Sequence, residues 1–243
     1  MSLIEKIDTK KIPQHIAITM DGNGRWAKEK GKLRIFGHQN GVKAVREAVE
    51  GSVEIGIKYL TLYAFSEENW KRPEKEVNAL MRLLVSTIAN ERKTLIDNDI
   101  QLRTIGSIDS LPEQCKNELD NTMKITKANS KMTLILALSY SSRSEIIKAI
   151  KELLQQQINH KDIDEKLFEQ YLYTKNVPDP ELVIRTSGEK RISNFMLWQI
   201  AYSELYFTDT LWPDFRRENL YRAIIDYQKR ERRFGKITEQ IKN

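Results

Sequence analysis

A glycine-rich segment with a single carboxylate follows the first apolar run of the chain. It spans residues 21–27 and reads DGNGRWA. Gly22, Gly24 and Ala27 match the G-x-G-x-x-[GA] spacing of dinucleotide-binding turns. Asp21 would repel a pyrophosphate unless a divalent cation lay between them, and Mg²⁺ commonly binds one or two carboxylates together with substrate phosphates. The segment indicates a Mg²⁺-assisted phosphate site, with a simple tight turn as the alternative.

Basic side chains continue this pattern. Arg25 and Arg34 carry guanidinium groups, which bind phosphate oxygens through charge-assisted hydrogen bonds. His38 is one of three histidines, and no second His or Cys lies near it in the sequence, so we do not expect a zinc site there.

A polar stretch, Ser66–Lys75, combines aromatic and basic residues. It reads SEENWKRPEK and follows a second apolar run that ends at Phe65. Trp70 and Arg72 together suit a ligand with an apolar part and an anionic part. Because the stretch shows no apolar periodicity, we expect little packing to hold it, and we expect it to be mobile without ligand and ordered with ligand. An ordinary turn is the alternative.

A second basic cluster spans residues 185–195, RTSGEKRISNF, at the end of a later apolar run. Arg185 and Arg191 make a second anion site a reasonable interpretation, with a basic surface loop as the alternative. The following stretch, residues 196–207, is apolar except for a few polar residues that include Glu204. A carboxylate in such a run is expected to be ion-paired, metal-bound or turned outward.

Strands and helices alternate along the chain and would position these segments. Six apolar runs are predicted strands: 15–20, 59–65, 100–106, 132–140, 181–187 and 204–209. Predicted helices span 41–55, 76–90, 112–128, 144–157, 164–175 and 218–233. This order predicts a single α/β domain with a six-stranded, mainly parallel sheet flanked by helices. Sites in such folds form at the carboxyl ends of the strands.

Composition narrows the class of protein. The chain has 243 residues, is 40% apolar and 30% charged, and carries a net charge of +6, which favours anionic partners. Cys115 is the single cysteine, so no intrachain disulfide can form. No apolar stretch approaches the roughly 20 residues of a spanning helix, and the N-terminus lacks a secretory h-region. We therefore expect a cytoplasmic protein.

Three functional interpretations follow from these residues. Two arginine-rich phosphate sites, one Mg²⁺ carboxylate and long apolar walls suit an enzyme that joins two diphosphates with apolar tails. A nicotinamide oxidoreductase is the enzymatic alternative, although the second strand ends too late to supply the usual ribose-binding carboxylate. A basic nucleic-acid-binding domain is the third, through the tail 227–236 with Arg230, Arg232, Arg233 and Lys236. No recognised nucleic-acid-binding module is present in the sequence, so we expect no nucleic-acid partner.

The sequence resembles the cis-prenyltransferases, and most closely the bacterial undecaprenyl diphosphate synthases. The resemblance covers about residues 15–235. It is carried by MDGNGRWA at 20–27, GH at 37–38, YAFSEENWKRP at 63–73, RTSGEKRISNF at 185–195 and LWQIAYSELYFTDTLWPDF at 197–215. It implies a homodimeric, Mg²⁺-dependent alkyl-group transferase with an apolar tunnel. Its reaction adds isopentenyl diphosphate repeatedly to an allylic diphosphate, expected to be farnesyl diphosphate, and forms a new cis double bond at each step. The expected product is undecaprenyl diphosphate, the lipid carrier precursor for cell wall synthesis.

The resemblance assigns roles by position. Asp21 matches the catalytic aspartate that engages Mg²⁺, Asn69 the proton acceptor and Glu204 a second metal carboxylate supplied near the partner subunit's site. Positions that match the allylic diphosphate cradle or other substrate contacts are Gly22, Asn23, Gly24, Arg25, Trp26, Arg34 and His38. The substrate-binding loop is matched by Ser66, Glu67, Glu68, Trp70 and Arg72, and the isopentenyl diphosphate site by Arg185, Arg191, Ile192 and Ser193. The single domain would span 1–243, with a lead-in at 1–14 and a tail at 236–243. A water-insoluble product implies transient contact with the inner face of the membrane.

One segment departs from the family. After the fourth predicted strand the family commonly has Asn-Tyr-Gly-Gly-Arg, whereas this chain has Ser-Tyr-Ser-Ser-Arg at residues 139–143. The loss of two glycines and an amide is expected to alter the backbone path and the local contacts of this loop without touching the diphosphate ligands.

Overall fold

Six strands form one parallel sheet at the centre of the molecule. The computed structural model describes residues 2–232. Its strands are β1 (His15–Thr19), β2 (Tyr59–Ser66), β3 (Ile100–Ile105), β4 (Met132–Tyr140), β5 (Leu182–Arg185) and β6 (Glu204–Phe207). They lie in the order β3-β4-β2-β1-β5-β6, and each pair of neighbouring strands is parallel. The expected six-stranded α/β fold is confirmed.

Both faces of the sheet are covered. Ile16 and Ile18 of β1 join a large core on one face, whereas Ala17 between them joins a second core on the other face. Since alternate side chains of a strand point to opposite faces, continuous apolar runs are what a sheet covered on both sides requires. All five residues of β1 are buried.

Seven α-helices flank the sheet within residues 2–232. They are α1 (Asn23–Glu29), α2 (Arg34–Ile55), α3 (Glu74–Asp97), α4 (Glu113–Ile125), α5 (Ser142–Gln155), α6 (Glu165–Glu169) and α7 (Arg217–Gln228). Six were expected, with α2 and α3 longer and α6 shorter than predicted. α7 ends at Gln228, short of the predicted end at residue 233. Residue 233 and the tail 236–243 lie outside the described residues. In the described part of the chain, no helix is both long and apolar enough to cross a membrane.

Helix α1 and the first turns of α2 were not predicted because their sequence is charged and rich in glycine. The helices pack closely: a Cβ on Gly37 would lie 2.0 Å from the backbone oxygen of Asn23. On Gly41, a Cβ would lie 2.7 Å from the side-chain oxygen of Asn23. Glycine lowers helix propensity, but here it permits the close approach of the start of α2 to α1.

His15 ties β1 to its neighbours as a neutral side chain. Its Nδ1 lies 2.6 Å from the Pro178 carbonyl and its Nε2 2.7 Å from Thr61 Oγ1. Burial lowers the pKa of His15 from 6.5 to about 4. Because the unfolded chain binds this proton near pH 6.5 and the folded chain only near pH 4, the contribution to stability is complete above pH 6.5. It is lost as the pH falls through this window.

We therefore expect the free energy of unfolding to drop by about 3 kcal/mol through His15 between pH 6.5 and pH 4. An NMR titration should show the His15 imidazole neutral at pH 5, with urea unfolding followed in parallel at several pH values. The resonance is assigned by its absence in His15→Gln. A His15 ring that titrates near pH 6.5 would contradict this assignment.

Candidate active site

The carboxyl ends of β1 and β5 meet at the point where the chain connections diverge. The chain leaves β1 toward β2 on one side, whereas it leaves β5 toward β6 on the other. Crevices at such switch points are the usual ligand sites of open α/β sheets. Asp21 follows β1 and Arg185 ends β5, so the fold brings together two residues that are 164 positions apart.

Asp21 is fixed through both its backbone and its side chain. Its N–H donates to Thr186 Oγ1 at 2.8 Å, and the Thr186 hydroxyl lies 2.6 Å from its carbonyl oxygen. One carboxylate oxygen accepts from the Gly22 N–H at 2.7 Å and the other from Arg185 at 2.9 Å. The side chain is 34% exposed, so the carboxylate is oriented yet reachable from the crevice.

Arg185 is the most deeply buried cation of the site, with a side-chain exposure of 6%. Its guanidinium also donates to Ser193 Oγ at 2.8 Å and to the Arg191 carbonyl. A buried charge is tolerated when it is paired and hydrogen-bonded, and Asp21 supplies the opposite charge. Its Nε–H has no partner among the described residues.

The two arginine clusters that are separate in the sequence adjoin in space. Arg25 donates to the Ser187 carbonyl at 2.9 Å and lies 3.2 Å from the Glu189 carboxylate, which also pairs with Arg191. Gly22 has φ +107°, and a Cβ there would lie 3.0 Å from the Ser187 Cβ, so only glycine suits this contact. Instead of two distant anion sites, the structure holds two halves of one basic crevice.

A second carboxylate joins the other pair of arginines. Glu76, in the first turn of α3, lies 3.5 Å from Arg34 and 3.3 Å from Arg72. His38 faces the same region, and its buried Nε2 has no partner among residues 2–232. Burial and the charges of Arg72 and Arg34 lower the pKa of His38 to about 4. At neutral pH His38 therefore offers a hydrogen bond rather than a charge.

The segment after β2 is a structured turn. Glu67–Lys71 form a 3-10 helix in which the side chains of Ser66 and Asn69 each accept from the other residue's backbone. The Asn69 side-chain oxygen accepts from the Ser66 N–H at 3.2 Å. The expectation that little packing holds this segment is wrong here, since Trp70 packs against the main core and meets the Phe65 ring edge-on.

A cavity of about 630 Å³ lies at this crevice. Its polar lining includes Asp21, Asn23, His38, Ser66, Glu68, Asn69, Arg72, Arg185, Arg191 and Ser193. Its apolar lining comes mainly from α2 and α3, with one residue of β4, and consists of Val42, Val45, Leu80, Met81, Leu83, Leu84 and Leu138. Within α3, Val77 and Ile88 belong to the main core, Leu80 and Leu84 line the cavity, and Met81 does both.

Several expected substrate contacts lie beside this cavity rather than on it. Trp26 stacks on Phe36 with ring centroids 5.8 Å apart, and Trp70 faces the core. Ile192 packs against the core of the opposite sheet face. These three residues do not line the cavity, and neither do the expected contacts Gly22, Gly24, Arg25, Arg34 and Glu67.

Each serine of the departing loop has a structural contact. Ser139 accepts from the Trp70 indole, and Ser142 accepts from the Leu197 N–H at 2.9 Å. Ser141 caps α5 by accepting from the Ser144 N–H and also accepts from the Asn194 amide at 2.8 Å. Serine hydroxyls therefore stabilise a loop in which the family commonly has two glycines and an asparagine.

Glu204 does not reach Asp21 within one chain. It begins β6 opposite Leu182, at the amino end of the sheet, and pairs with Arg230 at 2.8 Å. Arg230 also binds Asp226, and Arg232 binds Glu181. Two arginines of the basic tail are thus engaged internally, and its Arg233 and Lys236 lie outside the described residues.

The donor chemistry at Asp21 suits Mg²⁺. The carboxylate is a hard oxygen ligand, and each of its oxygens accepts one hydrogen bond and so keeps a further lone pair directed toward the crevice. Residues 2–232 contain no cluster of three or more His, Cys, Asp or Glu side chains that could hold a metal.

Sequence reasoning missed Glu76 and Glu189. Each carboxylate joins two of the arginines. The spacing held a usable signal for Glu76, because Arg72 and Glu76 stand four residues apart at the start of a predicted helix. For Glu189 the signal was its place between Arg185 and Arg191.

Comparisons with known proteins agree with this geometry. Residues 19–235 match the family model described as "Putative undecaprenyl diphosphate synthase". An isoprenyl transferase of Chlorobaculum tepidum is 53% identical over 95% of this chain and 89% of its own length. A ditrans,polycis-undecaprenyl-diphosphate synthase ((2E,6E)-farnesyl-diphosphate specific) of Pasteurella multocida is 52% identical over 96% of this chain and 99% of its own length.

Solved structures show the same fold. Lavandulyl diphosphate synthase from Lavandula x intermedia, in complex with dimethylallyl diphosphate, superposes with a TM-score of 0.90 at 37% identity, over 93% of this chain and 100% of that one. A probable undecaprenyl diphosphate synthase from Campylobacter jejuni superposes with a TM-score of 0.78 at 33% sequence identity, over 92% of this chain and 99% of that one. The resemblance seen in the sequence is confirmed: the chain belongs to the undecaprenyl diphosphate synthase family of prenyltransferases.

Proposed function

We propose that this prenyltransferase condenses isopentenyl diphosphate repeatedly with an allylic diphosphate, farnesyl diphosphate, and forms a cis double bond at each step. The product is a long-chain polyprenyl diphosphate, undecaprenyl diphosphate, which serves as the lipid carrier precursor for cell wall synthesis. One observation carries the proposal: a single cavity is lined by Asp21 with Arg72, Arg185 and Arg191 and also by apolar side chains of α2 and α3. Arg25 and Arg34 adjoin this lining through Glu189 and Glu76. Such a cavity accepts a diphosphate and its hydrocarbon tail together.

The allylic diphosphate would bind in the half of the crevice formed by Arg25, Arg34 and the 22–24 backbone. A Cβ on Gly24 would lie 3.1 Å from Arg34 Nε, so glycine leaves room for that guanidinium over the turn. The apolar tail would then extend between α2 and α3. Charge-assisted bonds from two arginines fit a diphosphate better than single lysine contacts would.

Isopentenyl diphosphate would bind in the other half, on Arg185, Arg191 and Ser193. Arg185 contacts both Ser193 and Asp21 and so links the two halves. This link would set the distance between the homoallylic double bond and the allylic carbon, which is the proximity that a bimolecular condensation needs.

Asp21 would hold Mg²⁺ against the allylic diphosphate, and the ion would supply neutralisation of the charge that builds on the departing group. The guanidinium groups stabilise the same charge. The π electrons of isopentenyl diphosphate form the new carbon–carbon bond while the allylic carbon–oxygen bond breaks and releases diphosphate. A proton then passes from the adjacent carbon to the released diphosphate. The amide of Asn69 is a weak base, and its oxygen already accepts from Ser66. Asn69 therefore positions or relays this proton.

A homodimer would give Glu204 its metal role. Within one chain Glu204 stands at the amino end of β6 with Arg230, so an approach to a metal must involve a second subunit. We further propose a cytoplasmic enzyme whose water-insoluble product brings it into transient contact with the inner membrane face.

Incubation of the protein with radiolabelled isopentenyl diphosphate, farnesyl diphosphate and Mg²⁺ tests the proposed reaction. Butanol-extractable label should accumulate, and chelation with EDTA should abolish it. Absence of transfer in Mg²⁺ buffer would refute the proposal. A nicotinamide titration and an oligonucleotide titration under the same conditions should show no binding, in contrast to the oxidoreductase and nucleic-acid alternatives.

Because each half of the crevice is assigned to one substrate, a substitution in one half should affect the two KM values differently. Arg191→Ala should raise KM for isopentenyl diphosphate by roughly 10- to 150-fold, the value of one charge-assisted phosphate contact, and KM for farnesyl diphosphate much less. Arg191 has a side-chain exposure of 62%, so its loss should leave folding intact. Equal increases in both KM values would contradict the division of the crevice. Steady-state kinetics with each substrate varied in turn decide this.

A further inference from the structure

Ser139 lies buried at the end of β4 in an unusual backbone conformation. It is 2% exposed and has φ +45°, in the left-handed region that few non-glycine residues adopt. Its Oγ accepts from the Trp70 indole N–H at 2.8 Å and lies 2.8 Å from the Ser110 hydroxyl oxygen. This backbone conformation is costly and persists because the surrounding contacts hold it.

Trp70 connects Ser139 to the candidate active site. Its ring packs on Phe65 and the main core, so the indole fixes the 3-10 helix that carries Asn69. Asn69 and Arg72, on either side of the anchored segment, line the cavity, whereas Trp70 does not. The indole therefore serves as an anchor whose polar end depends on Ser139.

The buried indole N–H needs an acceptor. A buried donor without one costs about 1–3 kcal/mol. The family commonly has an amide at position 139, and serine offers a shorter acceptor. The Ser110 hydroxyl donates its one proton to the Ser107 carbonyl at 2.6 Å, so its oxygen can accept from the Ser139 hydroxyl. The hydroxyl pair thus occupies the polar space at the end of the indole.

We propose that Ser139 is a positioning residue, whose hydroxyl holds the Trp70 indole and through it the placement of Asn69 for proton removal. This inference rests on the proposed prenyl transfer. It predicts an effect on kcat without a matching effect on KM, because the hydrogen bonds of the Ser139 side chain go to Trp70 and Ser110 and not to Arg185, Arg191 or Ser193. Ser139→Ala should lower kcat about tenfold, the scale of one lost buried hydrogen bond, while KM for isopentenyl diphosphate changes by less than about twofold.

A double-mutant cycle isolates the contact. Trp70→Phe keeps an aromatic ring and removes the N–H, so it should lower kcat by a similar factor. In the Trp70→Phe background, Ser139→Ala should have little further effect, because the bond is already absent. Ser139→Asn, which keeps an acceptor and tolerates a positive φ, should recover at least half of the wild-type kcat. Ser110→Ala is the matched control, since it removes a neighbouring hydroxyl and leaves the indole bond.

The indole N–H resonance of Trp70, assigned from Trp70→Phe, gives a reading that does not depend on turnover. It should shift and exchange faster in Ser139→Ala than in Ser110→Ala. An inactive wild type would refute the proposed function. An active wild type with an unaffected kcat in Ser139→Ala, or with additive effects in the cycle, would refute the positioning role alone. If Ser139→Ala does not fold, Trp70→Phe decides: wild-type kcat there overturns the inference.

Discussion

Replacement of Asp21 by alanine is expected to lower kcat by more than about 10²-fold while the fold stays intact. The expected loss is the usual scale for removal of one electrostatic contact to a transition state. Asp21 is one-third exposed, and its backbone is held by Thr186 independently of the carboxylate. The substitution therefore removes charge and metal affinity without a large cavity.

Asp21→Asn separates charge from shape, since the amide can still occupy the space but binds Mg²⁺ weakly. It should be nearly as impaired as Asp21→Ala, and excess Mg²⁺ should not restore either variant. Asp97→Ala is the control, because Asp97 is an exposed carboxylate at the end of α3, paired only with Lys93 in the described structure. Wild-type kcat in Asp21→Ala at saturating Mg²⁺ would contradict the metal role.

Substitution of Arg185 should be similarly severe. Arg185→Ala removes the one buried cation that joins Asp21 and Ser193, and we expect kcat/KM for isopentenyl diphosphate to fall about 10²-fold or more. Arg185→Lys keeps the charge but lacks the planar guanidinium group that donates to both Asp21 and Ser193. It should therefore recover only a small part of the activity.

Folding must be checked in these variants because a buried pair is broken. Circular dichroism and thermal unfolding provide that check, and Arg103→Ala on β3 is the matched control. The Arg103 guanidinium reaches the Lys175 carbonyl at 3.3 Å and lies away from the cavity lining. Near-normal kcat/KM in a folded Arg185→Lys would mean that charge alone suffices, contrary to the geometry described.

Much of the fold was predictable because the strands are buried on both faces. Continuous apolar runs such as Met132–Tyr140 have few alternatives in a soluble protein, and the observed strand keeps those bounds. The start of α2 was not predictable, since Gly37 and Gly41 lower helix propensity and are used there for contact with α1. Tertiary packing overrode the local signal.

The sequence predicted which basic residues belong to the site, but it predicted less well how the residues of the site contact one another. The glycine turn and the arginines stand at strand ends, where the fold places ligands. The inward orientation of Trp70 depends on the partner that Ser139 provides from β4, 69 residues away, which no local pattern reveals. The carboxylate links through Glu76 and Glu189 likewise depend on spatial proximity.

The central claim is that one cavity joins isopentenyl diphosphate to an allylic diphosphate at Asp21. The most direct measurement incubates wild type and Asp21→Ala side by side with radiolabelled isopentenyl diphosphate, farnesyl diphosphate and Mg²⁺, and sizes the extracted products by chromatography. The account predicts a long polyprenyl product from the wild type and none from Asp21→Ala. No product from the folded wild type, or the same product from both proteins, would contradict it.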